Sequence, residues 1–64
     1  MGKIRRGGYI IISWEGDHGP RHAHVYRNGR LVVKWDLENS VAMKGSPNRK
    51  VLALLAELEA EGLI

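Results

Sequence analysis

The run Asp17-His18-Gly19-Pro20-Arg21-His22-Ala23-His24-Val25 gathers all three histidines of a 64-residue chain into seven positions. Three chemistries are open to such a run. The first is metal binding: His22-x-His24 sets two imidazoles on one side of a strand, a spacing that zinc sites use, and Asp17 or His18 from the preceding loop would complete the set. The second is acid–base catalysis without a metal. Histidine titrates near neutral pH and passes protons in RNA cleavage, where a 2′-hydroxyl is deprotonated and a 5′-oxygen protonated. On that reading His22 and His24 are the catalytic candidates and no cofactor is needed. Arg21, Arg30 and Lys34 engage phosphate, and Tyr26 or Trp14 stacks on a base. The third is structural: His18 and His22 flank a Gly-Pro turn, where ring nitrogens bond loop carbonyls and hold the hairpin.

Whatever these residues do, a small domain must position them. Sixty-four residues make one domain, residues 1–64, with one core, and such a chain buries only about 60% of the surface its unfolded form exposes. The chain has no cysteine, which excludes disulfides and thiolate ligands and suits a reducing compartment. No apolar run approaches the roughly 20 residues of a membrane span. The basic opening Met1–Gly8 is followed by Tyr9–Trp14, an apolar run too short for a signal peptide and closed by Glu15. A cytoplasmic protein is expected.

The net charge of +3 is unevenly spread. Residues 1–34 hold Lys3, Arg5, Arg6, Arg21, Arg27, Arg30 and Lys34 against Glu15 and Asp17, and residues 35–64 are net acidic. A basic half on a small domain suits a phosphate backbone, and Arg5 and Arg6 on the amino-terminal arm, residues 1–7, join the nucleic-acid candidates. A solvated surface that keeps the protein soluble is the plainer alternative.

The pattern predicts an α+β fold: a three-stranded antiparallel meander over residues 8–36 and a carboxy-terminal amphipathic helix over 46–61, in the order β-β-β-α. Tyr9–Trp14 alternates as a strand, with Ile10, Ile12 and Trp14 opposite Tyr9, Ile11 and Ser13. Two β-rich runs flank Asn28-Gly29, a strong hairpin signal. A two-residue loop there pairs Tyr26 with Leu31 and His24 with Val33, placing histidines among large apolar residues. A three-residue loop pairs Val25 with Leu31 and Ala23 with Val33. It gathers Ala23, Val25, Leu31, Val33 and Trp35 on one face and His22, His24, Tyr26, Arg30 and Lys34 on the other, and is preferred for that segregation. Residues 36–45 read as a connection. Ser46 suits an N-cap and Pro47 the first helical position, and Val51, Leu54, Leu55 and Leu58 form the apolar stripe. The helix covers one sheet face. The other has no lid, and with Ile11 and Val32 on it would be half apolar and half basic, a surface suited to a partner or a second copy of the chain.

The segment Asp17–Val25, with the preceding Gly7-Gly8-Tyr9, the strand after the glycine turn and the short helix, resembles the small bacterial domain-of-unknown-function family 4160. That family carries an acid-His-x-Pro-Pro-His-x-His-Val pattern, which falls here on Asp17, His18, Pro20, His22, His24 and Val25. Arg21 stands where the second proline is usual, loosening the turn and adding a cation. The resemblance implies one half of a two-gene module of the toxin–antitoxin kind, with a second small protein as partner. A weaker similarity links the order of elements to HicA-type messenger-RNA interferases, which set a histidine on a strand of a three-stranded sheet. The leading expectation is a bacterial protein that binds or cleaves RNA through its His/Arg face. The alternative is a non-catalytic interaction module or homodimer whose histidines are structural or hold zinc.

Overall fold

The computed structural model describes residues 2–14 and 21–64, the side chain of Trp14 excepted. Among the described residues five strands form one antiparallel sheet in sequence order: β1 Gly2–Arg6, β2 Tyr9–Trp14, β3 His22–Arg27, β4 Arg30–Asp36 and β5 Val41–Gly45, and one helix, α1 Arg49–Ala60, follows. The α+β class, the antiparallel meander and the carboxy-terminal helix are as expected. The strand number is not, because two edge strands add to the expected three.

The amino-terminal arm is β1. Gly7 and Gly8 both take positive φ, 61° and 83°, and turn the chain tightly so that Arg6 pairs with Tyr9 and Lys3 with Ile12. Positive φ at both central positions is the geometry of the commonest two-residue hairpin, and glycine adopts it without strain. The expected connection after Asp36 holds β5. Asp36 builds its turn: Oδ1 accepts the Glu38 and Asn39 amides at 2.9 and 3.1 Å, and Oδ2 accepts the Asn39 side-chain amide at 2.7 Å.

At the β3–β4 hairpin both competing registers leave their mark. Asn28 and Gly29 form the two-residue turn, with φ of 53° and 76°, so Arg27 pairs with Arg30 and Tyr26 with Leu31. A bulge then intervenes, and beyond it Val25 pairs with Val33, His24 with Lys34, Ala23 with Trp35 and His22 with Asp36. Turn chemistry wins at the tip, and burial of the apolar face wins along the body. Val32, the extra residue, absorbs the mismatch. Three expectations are thereby corrected. Leu31 leaves the core side and is 39% exposed, Arg30 sits opposite Arg27 rather than beside the histidines, and Ile11 is fully buried under the helix.

The core lies between α1 and one sheet face: Tyr9, Ile11, Ala23, Val25, Val33 and Leu37 against Val51, Leu54, Leu55 and Leu58. Each fully buried aliphatic side chain contributes about 1.5–3 kcal/mol. The helix stripe is the expected one, but its start is later. Asn48, not Ser46, is the N-cap, its Oδ1 accepting the Val51 amide at 2.8 Å, and Pro47 precedes the cap. The helix closes at Glu61, the end expected: the Gly62 amide donates to the Glu59 carbonyl and the Leu63 amide to the Leu58 carbonyl, both at 3.0 Å. Arg6 ties β1 to the helix by ion pairs with Glu57 at 2.9 Å and Glu61 at 2.5 Å. Among the described residues no helix is long and apolar enough to cross a membrane.

Candidate nucleic-acid interface

Cross-strand partners in an antiparallel sheet share a face, so the register fixes the composition of the side that α1 leaves open. Its middle row runs Lys3, Ile12, His24, Lys34, Lys44 across all five strands. On one side of it lies the row Arg5, Ile10, Tyr26, Leu31, and on the other the backbone pairs Trp14, His22, Asp36 and Val41. His22, His24, Tyr26, Lys34 and Arg5 therefore come together on one surface. Arg21 lies exposed immediately before β3, its carbonyl accepting the Leu37 amide at 3.0 Å.

Along β3 the rings line up as a column. The centroids of His22 and His24 are 5.2 Å apart, and Tyr26 stands edge-on to His24 at 6.2 Å. The Tyr26 hydroxyl lies 3.4 Å from His24 Nδ1, a long contact that biases the ring's orientation. Partial burial, with the nearby His22 and Lys34, pushes His24 below the ordinary histidine value of 6.5, which favours its neutral form. Asp36 is held below the usual carboxylate range by its bonds from Asn39 and Glu38, with help from His22 beside it. It is the one carboxylate in the three open-face rows, and its oxygens are occupied by the β4–β5 turn.

The other cations belong to the helix side. Arg6 is bound by Glu57 and Glu61. The Arg27 guanidinium lies 5.4 Å from the centroid of the buried Tyr9 ring and the Lys50 ammonium 6.0 Å from it, so both cover the end of the core. Arg30 faces Arg27. Of the residues expected to contact nucleic acid, Arg6 and Arg30 are thus placed away from the histidines. Conversely, Lys3 and Lys44 join the open face unanticipated. The Gly7-Gly8 pair was the available signal for Lys3, since it marks a hairpin that makes a strand of the residues before it.

Among the described residues no three His, Cys, Asp or Glu side chains converge as a metal site. The zinc alternative of Asp17, His18, His22 and His24 draws on two residues outside the described ones, as does the Trp14 ring expected to stack.

These shifts set the response of stability to pH. His24, Asp36 and Glu61, the last lowered by its bond from Arg6, all bind protons less readily in the fold than in the unfolded chain. Their stabilising contributions are complete above their unfolded values and are lost as pH falls through the folded ones. The melting temperature is expected to fall on acidification, first just below pH 6.5 through His24 and again in the carboxylate range. Thermal melts of wild type and His24→Gln across this range check the assignment, since the variant should lose only the upper step.

No family model, curated protein or solved structure matches the chain.

Proposed function

We propose that this protein acts on RNA through the open sheet face, as a component of a toxin–antitoxin-like module, with His22 and His24 as the acid–base pair of a metal-independent ribonuclease. The observation that carries the reading is the partition of cations by the sheet. On the helix side Arg6, Arg27 and Lys50 are engaged by Glu57, Glu61 and Tyr9, whereas Lys3, Arg5, Lys34 and Lys44 share their face with both histidines and Tyr26. A phosphate backbone satisfies such a face, and Tyr26 with Ile10 and Ile12 offers bases an aromatic and apolar floor.

In the reaction a neutral His24 accepts the 2′-hydroxyl proton as the 2′-oxygen bonds to phosphorus. The bond from phosphorus to the 5′-oxygen breaks, and His22 supplies the proton to that leaving oxygen. The products are a 2′,3′-cyclic phosphate and a free 5′-hydroxyl. Lys34, paired with His24 across the strands, faces the charge that develops on the phosphoryl oxygens. The module, and a second small protein encoded with this one, come from the resemblance of Asp17–Val25 to family 4160.

A second reading, a non-catalytic interaction module or homodimer, is favoured by β5. This edge strand is exposed along its length, with Val41 at 51% and Met43 at 46%. Induced expression in a bacterial host separates the two. On the ribonuclease reading wild type arrests growth and degrades RNA, and the His22→Ala/His24→Ala double variant does neither. Normal growth and intact RNA with folded wild type would leave the interaction reading standing alone.

A further inference from the structure

The open face has a direction. Lys34 and Lys44 lie on the two strands to one side of His24, and Lys3 lies two strands away on the other side, all in the same cross-strand row. With strands about 4.8 Å apart, this row is about 19 Å long. A polyanion following β4 along its own axis would run from Lys34 to Asp36, a carboxylate, whereas one crossing the strands meets cations at both ends. Between the cations the floor is Ile12, flanked by Ile10, Tyr26 and Leu31. Splayed bases can use such a floor, and the paired, stacked bases of a duplex cannot.

Resting on the RNA-directed reading above, we infer that the substrate is an internal stretch of single-stranded RNA laid across the strands, with phosphates held on both sides of the histidines. The face accommodates about four nucleotides, against the roughly two or three bases stacked by a four-stranded RNA-binding sheet. The activity is accordingly endonucleolytic. A mononucleotide or a terminal phosphate would reach the cations on one side only.

Binding of labelled single-stranded oligouridylates of two, four and eight nucleotides tests this, with wild type, Lys3→Gln, Lys44→Gln and Lys50→Gln compared at several salt concentrations. Circular dichroism confirms that each variant is folded. Wild-type affinity is expected to rise at least tenfold from the dinucleotide to the tetranucleotide and then to level. Lys3→Gln and Lys44→Gln should each weaken tetranucleotide binding about three- to tenfold and reduce the salt slope by about 0.7, the contribution of one phosphate contact on a single strand. Lys50→Gln, on the helix side, should bind as wild type does. Equal affinity for all lengths, or equal losses from Lys50→Gln and Lys44→Gln, would overturn the track while leaving RNA binding intact. Failure of wild type to bind any length at low salt would overturn the RNA-directed reading itself.

Discussion

His24→Ala is expected to lower RNA cleavage by about 10²–10⁴-fold, the usual contribution of a positioned acid or base, while RNA binding changes little. On the ribonuclease reading, binding depends on Lys3, Arg5, Lys34 and Lys44, which the substitution leaves in place. On the same reading the rate depends on the His24 imidazole at the centre of their row, 5.2 Å from that of His22. His24→Gln, which keeps a polar side chain but cannot carry the proton, should be as inactive as alanine. Because partial burial, His22 and Lys34 lower the pKa of His24, the rate limb attributed to the base should rise below pH 6.5. Measured on purified protein with a fluorogenic oligoribonucleotide, a His24→Gln enzyme retaining wild-type turnover would remove this residue from the chemistry.

Gly45→Ala is expected to destabilise the fold by about 2–4 kcal/mol, a large part of what so small a domain possesses. Gly45 has φ of 80°, and a Cβ there would stand 2.3 Å from the Val32 carbonyl oxygen and 3.2 Å from Val33 Cα. Both are backbone atoms with no rotamer to yield. The contact lies where β5 joins the bulged part of β4, so the strand carrying Lys44 must shift or detach. Gly62→Ala is the control. Its φ of 75° is similar, but nothing lies within 4 Å of the added carbon, so it should lose only the conformational term, about 1–2 kcal/mol. Equal urea midpoints for the two variants would contradict the close approach of β5 to Val32.

How far this was legible in the sequence differs from element to element. The helix stripe Val51, Leu54, Leu55, Leu58 is legible because one face must be apolar at the helical period, and all four are buried. The cap was misplaced because Ser46 and Asn48 are equally suitable chemically, and only the position of the first helical bond to Val51 chooses between them. The hairpin posed a conflict between Asn28-Gly29 and the apolar pattern. A bulge at Val32 satisfies both, a solution that no uniform period displays. The edge strands were hidden for a different reason. Lys3, Arg5 and Arg6 read as a basic arm, yet charge on an edge strand is also what discourages pairing with other chains. Every residue of β5 is exposed and a register shift interrupts its pairing, so neither burial nor alternation marks it. The histidine face was therefore legible at its centre, in His22, His24, Tyr26 and Lys34, and not at its ends, Lys3 and Lys44, which only the five-strand register brings into line.

The measurement that bears most directly on the central claim is the amide spectrum of isotopically labelled protein titrated with single-stranded RNA. The open-face account predicts shifts concentrated at Lys3, Ile12, His22, His24, Tyr26, Lys34 and Lys44, with the outward side of α1 from Arg49 to Ala60 unmoved. Shifts confined to α1, or none at concentrations where nucleic acid of this length saturates a basic site, would contradict it.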